Sequence, residues 1–252
     1  VRSEPTAVKC ATTAAFSPPL VISDWPCQMG DGSAPEMNAP EQITRIRVTY
    51  SKGPSLRFIG HLDMQRMWER LLRRTKLPIR YSQGYHRRAR LNLASALPLG
   101  FTSQMEMLDF WLDQPHPLEE IQTKLAEAAP DGIKILAVHP VDLREPALQE
   151  QRHASEFEVR FFDPPDRIEL EEKINHILTQ DQIIRTRRKK TYNLRPLILN
   201  LQIISTPDEE RALTMRLLAE PGATGRPDEV LDEIDYANTA YLVKRTKLIL
   251  SE

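Results

Sequence analysis

The chain has 252 residues, 40% hydrophobic and 27% charged, with a formal net charge of −1, a globular composition long enough to bury one or two cores. No run approaches the ~18 apolar residues of a membrane-spanning helix and no apolar segment with a cleavage site follows the N-terminus, which points to a cytoplasmic protein without a membrane partner. Its two cysteines, Cys10 and Cys27, form neither a disulfide framework nor a four-ligand zinc site by themselves; with no CxxxCxxC run and no Gly-rich phosphate loop, no cofactor is expected in this chain.

Residues 1–42 contain six prolines and no helical or strand period, and read as a disordered tail or linker. Cys10 and Cys27 lie within it, without His neighbours, as unpaired linker cysteines. Order is expected from Ile43. There Ile46, Val48 and Tyr50 alternate with Arg45, Arg47 and Thr49, the pattern of a strand buried on one face. After the turn 51–54, Met64, Met67, Trp68, Leu71 and Leu72 follow the i, i+3, i+4, i+7, i+8 spacing of one helix, at about 61–75. Asp63 sits near its positive end, and Leu77-Pro78 closes it. A loop at 82–88 leads to strands at 89–94 and 105–112, separated by the connector Leu97-Pro98-Leu99-Gly100. A helix at 117–129 and a strand at 133–141 complete a β-α-β-β-α-β order, the ferredoxin-like plan. Following a polar linker at 142–154, a second unit at 155–252 repeats it. Phe157, Val159 and Phe161 alternate, 168–178 is helical, and 183 onward is extended with room for a helical turn within 190–204. Strands at 198–204 and 211–219 flank a turn at 205–210, Pro227 opens a short helix, and 241–250 is the last strand. The fold class is α+β, a tandem of ferredoxin-like units.

Charge is distributed unevenly along this plan. Between Lys52 and Leu99, eleven Lys or Arg residues face Asp63 and Glu69 alone, and 185–195 holds six with no acid. On the first helix Arg66, Arg70, Arg73 and Arg74 repeat the helical spacing opposite the apolar face. Solvated helix faces usually mix signs in i,i+4 pairs, and like charges one turn apart repel. Guanidinium groups also suit phosphate and base stacking better than ammonium groups do. The pattern therefore points to an anionic partner, RNA foremost. The candidate contact residues are Lys52, Arg57, Arg66, Arg70, Arg73, Arg74, Arg80, Tyr85, Arg87, Arg88 and Arg90, joined by Arg185, Arg187, Arg188, Lys189, Lys190 and Arg195. Tyr81, Tyr192 and His86 are nearby rings. In the motif Asn193-Leu194-Arg195-Pro196, a turn either aims Arg195 at the same groove or lets it cap carbonyls.

The same residues admit other chemistry. His61 and His86 are the candidate acid and base of a metal-independent ribonuclease, with Arg57 or Lys52 stabilising the phosphorane, although a histidine at a helix start more often packs or caps. His61 with Asp63 lacks a third metal ligand. His116, His139, His153 and His176 are scattered and read as structural. A docking domain for another protein remains a further class, because everything outside the two basic runs sums to −16. By itself the chain reads more as a binding module than as an enzyme.

The segments RFIGHLDMQRMWERLLRR, LPIRYSQGYHRRARLNLASALPLG and TRRKKTYNLRPLI resemble the radical-SAM-linked uncharacterised family, found fused to or encoded beside B12-binding-type radical SAM proteins. The resemblance covers about 43–252. Gly60 stands where that family usually has Ser, His86-Arg87 where it has Asn-Pro, and Asn193 where it has Asp. It implies a radical SAM partner, in cis or in trans, and a tail that is the remnant of a fusion joint. With the basic residues it suggests a module delivering tRNA or rRNA for modification. It assigns no activity of its own.

Overall fold

Local sequence explains each element, and pairing between distant segments arranges them. The computed structural model describes residues 42–187, 189–205 and 211–251. The tail with Cys10 and Cys27, Arg188, and all but the first residue of the turn expected at 205–210 lie outside the described residues. In chain order come β1 (Thr44–Lys52), α1 (His61–Arg74), β2 (Leu91–Leu93), β3 (Thr102–Leu112), α2 (Leu118–Ala128), β4 (Ile133–Val141), β5 (Arg152–Phe161), α3 (Arg167–Thr179), β6 (Ile184–Arg187), β7 (Lys190–Asn193), β8 (Ile198–Ser205), β9 (Arg211–Glu220), β10 (Ala223–Thr224), α4 (Pro227–Glu233) and β11 (Tyr241–Leu250).

The result is a mixed α+β fold around one large sheet. β1 lies antiparallel between β3 and β4, with β2 on the other side of β3. β5 lies antiparallel between β9 and β11, with β8 on the other side of β9. The two sets join where β11 runs parallel to β3, placing Lys244 opposite Thr102 and Arg245 opposite Ser103. β6 and β7 form a separate hairpin. Among the described residues no helix is long and apolar enough to cross a membrane.

One core packs α1 and α2 onto β1 and β3 through Trp68, Leu71, Leu72, Ile121, Leu125, Val48, Leu108 and Phe110. Trp68 meets Tyr50 edge to face, with centroids 4.8 Å apart. The second core packs α3 and α4 against β5, β9 and β11. Burying a side chain the size of Leu contributes roughly 1.5–3 kcal/mol, so these faces fix the helices to the sheet. α1 ends where Thr75 folds its hydroxyl back to the Leu72 carbonyl at 2.6 Å and Lys76 takes the left-handed φ of 55°. Its start is held by the preceding turn, where the Gly53 amide donates to the Gly132 carbonyl at 2.7 Å. A Cβ on Gly132 would collide with the Ser55 side chain.

Several sequence expectations change in the structure. β1 is buried on both faces: Arg45 is 2% exposed and Arg47 6% exposed. The reason is Asp109, a buried carboxylate on β3 that both guanidiniums reach, Arg45 at 2.6 Å and Arg47 at 2.8 Å. The segment read as a polar linker supplies the cover. Carbonyls of Glu145 and Pro146 accept from Arg45, the Gln151 side chain accepts from Arg47, and Leu148 is fully buried. β5 then begins at Arg152, inside that expected linker. The extended stretch after 183 closes on itself as the β6–β7 hairpin, followed by a single 3-10 turn at Arg195–Leu197.

Candidate nucleic-acid interface

α1 presents its two faces as the spacing demands. Met64, Trp68, Leu71 and Leu72 are buried, so Arg66, Arg70, Arg73 and Arg74 stand exposed on the opposite side. Arg66 pairs with Asp63 at 3.2 Å on the helix surface. Arg74 donates to the Ala128 carbonyl at 2.8 Å, tying the end of α1 to the end of α2. Arg70 and Arg73 have no carboxylate partner among the described residues. Together with Ile59, Met67, Pro130 and the single acid Asp63, these arginines line a concavity of about 600 Å³. Its wall is cationic and its floor partly apolar, suited to a phosphate backbone.

The loop after α1 projects from the fold. Its base is held by the pairing of Tyr81 with Ala89 and by the Ser82 amide donating to the Arg88 carbonyl at 2.8 Å. At its tip Tyr85 is 97% exposed and stacks edge to face on His86 at 5.0 Å. Arg87 and Arg88 are exposed as well. Arg80 is held by Asp113 at 2.9 Å, and Arg90 lies over the Trp111 ring at 4.4 Å. This loop does not line the α1 concavity.

Other candidates turn inward or are already paired. Lys52 is 2% exposed and donates to the Ile59 carbonyl at 3.2 Å. Burial holds its ammonium below the usual lysine range, against the opposing pull of Glu106. Arg57 lies over the Phe58 ring at 4.7 Å. Arg185 is gripped by Asp232 and Glu233 of α4, and Arg187 by Glu229 at 3.3 Å. Lys189 occupies the hairpin turn at a φ of 67°, with Lys190 exposed beside it. Arg195 donates to the carbonyls of Ile198 and Leu178 at 3.1 and 3.0 Å, which is the carbonyl-capping alternative. Asn193 makes that turn, its side-chain oxygen accepting from the Ile183 and Arg195 amides. Tyr192 packs partly into the second core, where burial and then the nearby Glu229 push its phenol up to about 12.

His61 borders a small cavity with Lys52, Tyr50 and Glu106, whereas His86 sits in the exposed loop against Tyr85, so the two are not brought into one site. Among the described residues no cluster of three His, Cys, Asp or Glu could hold a metal ion. Sequence reasoning missed the buried carboxylates Asp109 and Glu106 and their arginine partners. The one available signal was an acid inside an otherwise apolar strand, Asp109 within MLDFWL, opposite a strand that alternates with arginine.

No curated protein matches the chain. Among solved structures it is similar to a chain of an H/ACA RNP bound to a substrate RNA containing 2'-deoxyuridine, at TM-score 0.40 and 6% identity over 81% of this chain and 47% of that one. A Cbf5-Nop10-Gar1 complex gives TM-score 0.42 and 6% identity, covering 81% and 48%. An archaeal box H/ACA sRNP Nop10-Cbf5 complex gives 0.37 and 8%, covering 81% and 47%. The chain spans about half the length of those chains, and likeness at this level carries no argument about binding. A sequence-family profile, by contrast, matches residues 45–227, well over half of the chain. The chain therefore belongs to the family described as an uncharacterized protein conserved in bacteria (DUF2344).

Proposed function

We propose that this chain is an RNA-binding module of two ferredoxin-like units, acting with a radical SAM partner, and that the α1 arginine stripe is its principal phosphate contact. The observation that carries the reading is the pair Arg70 and Arg73: exposed, one turn apart, lining a concavity, and without an acid partner among the described residues. Such an arrangement is self-repulsive until an anion fills it. Tyr85, Arg87 and Arg88 would add a second contact at the exposed loop tip, in which a ring and guanidiniums stack on unpaired bases. The two-unit description is supported by the antiparallel pairing, in which β4, β1, β3 and β2 are neighbours in that order and β11, β5, β9 and β8 repeat it. The radical SAM partner is supported by the sequence resemblance, and tRNA or rRNA is the substrate that such a pairing suggests.

The test is binding of fluorescent total tRNA across a salt series, with an Arg70→Glu/Arg73→Glu variant alongside. Each neutralised phosphate adds ~0.7–0.9 to the log–log salt slope, so the variant should bind weakly with a slope flatter by about 1.5. Absence of binding at low salt, or binding indifferent to salt, would overturn the reading. One observation favours a second reading, a protein-docking domain: Phe58, Leu62 and Leu99 are 73%, 68% and 63% exposed around the start of α1. Co-purification with a radical SAM protein, lost on Leu62→Glu, in a chain that binds no tRNA at low salt would favour it. No step is proposed for His61 or His86.

A further inference from the structure

The junction of β5 and β11 with the segment after β2 encloses a second cationic space, remote in sequence from α1. A cavity of about 320 Å³ there is lined by Arg152, Arg187, Arg226 and Arg245, and no carboxylate lines it. Two of these guanidiniums converge: Arg152 and Arg245 both lie 3.4 Å from the Ser95 hydroxyl. Glu106 neutralises Arg245 from behind, at 2.8 Å. Arg152 donates to the Gln149 carbonyl at 2.9 Å and pairs with no carboxylate among the described residues. Arg187 and Arg226 are neutralised from the α4 side by Glu229 and Asp228.

Buried polar atoms at the same cavity lack partners. Ser155 is 3% exposed, lines the space, and its hydroxyl has no hydrogen-bond partner; the Nε of Arg245, also 3% exposed, has none either. Buried donors are normally hydrogen-bonded, so two without a protein partner at one cavity are free to donate to a ligand's oxygens. Planar guanidiniums present forked donors that match phosphate oxygens. The remaining wall is apolar, with Phe157 under the Arg245 guanidinium at 5.4 Å. A site with a cationic end and an apolar side takes a phosphate attached to a flat hydrophobic group.

We propose that this cavity binds a nucleoside monophosphate, either free or as the phosphorylated end of an RNA, with Arg152, Arg245 and Ser155 on the phosphate. The site is independent of the α1 stripe. Titration calorimetry of the full chain with adenosine 5'-monophosphate, and separately with inorganic phosphate, tests it. The expected result is one saturable site whose affinity falls about tenfold or more in Arg152→Gln, as removal of a charged hydrogen bond predicts. Ser155→Ala should weaken it several-fold. The Arg70→Glu/Arg73→Glu variant should bind the nucleotide unchanged, which separates this site from the tRNA result. Arg187→Ala, at a partly exposed position, serves if Arg152→Gln does not fold, and should also weaken binding. Oligoribonucleotides with a 5'-phosphate or a 5'-hydroxyl distinguish the sources. A preference for the phosphate that disappears in Arg152→Gln identifies the RNA end, and equal binding alongside a nucleotide response identifies the free nucleotide. No saturable binding of either probe, or native-like affinity in a folded Arg152→Gln or Arg187→Ala variant, would overturn the proposal.

Discussion

The two basic runs look alike as sequence and meet different fates in the fold. On α1, Arg70 and Arg73 face outward with no acid partner among the described residues. On β6, Arg185 and Arg187 are covered by Asp232, Glu233 and Glu229 of α4, a helix some forty residues further along the chain. A third set, Arg45, Arg47 and Arg245, is turned into the sheet and neutralised by Asp109 and Glu106. A run of positive charge therefore predicts an anionic partner only after the acids brought near by tertiary pairing have been subtracted. By that measure the α1 stripe remains and much of the second run does not.

The largest expected effect falls on the inward arginines. Asp109→Ala leaves two buried guanidiniums without their counter-charge, and breaking a buried pair in this way costs about 3–5 kcal/mol. Urea denaturation should show that loss, and an unchanged midpoint would mean that the fork contributes little. Next in size, Arg70→Glu/Arg73→Glu should abolish most tRNA binding while leaving the melting temperature within about a degree, since exposed positions away from packed features rarely alter stability by more than ~0.5 kcal/mol. A large melting shift would instead assign those arginines a structural role.

Smaller still is the release of the second run. Asp232→Asn/Glu233→Gln, at partly exposed carboxylates, should cost about 1 kcal/mol, the upper end of the range for exposed ion pairs. It should also steepen the salt dependence of tRNA binding, as Arg185 loses both of its acid partners and becomes available. An unchanged slope would show that the hairpin lies away from the nucleic acid. The smallest effect is alkaline. With the Tyr192 phenol pushed up to about 12 by burial and Glu229, the unfolded chain loses that proton first, near 10. Stability should decline as pH rises through the interval from about 10 to 12, and Tyr192→Phe should flatten that part of the profile in thermal melts.

Much of the element order was legible because it rests on local periodicity. The apolar stripe through Trp68 and Leu72 specifies α1, and alternation marks β1 and β5. The site was legible less evenly. Arg66, Arg70, Arg73 and Arg74 emerged as an exposed set because helical spacing alone separates them from the buried face. Arg195 did not reach a groove, because Asn193 closes a turn that aims its guanidinium at backbone carbonyls. Lys52, at the end of β1, was buried by the closure of the segment around Ile59, which no local pattern announces. Arg152 gave no signal at all, since its interest depends on Arg245, Arg226 and Arg187 arriving from elsewhere in the chain.

Period, charge sign and turn chemistry depend on neighbours a few residues away, so the helices, most strands and the cationic face of α1 follow from the amino-acid order directly. Which charges stay free does not. That depended on β11 joining β3, on residues 142–151 closing over Arg45 and Arg47, and on α4 docking its acids against the β6–β7 hairpin. Electrostatic neutralisation acts across space and is blind to sequence separation, so it was settled only once the sheet had formed.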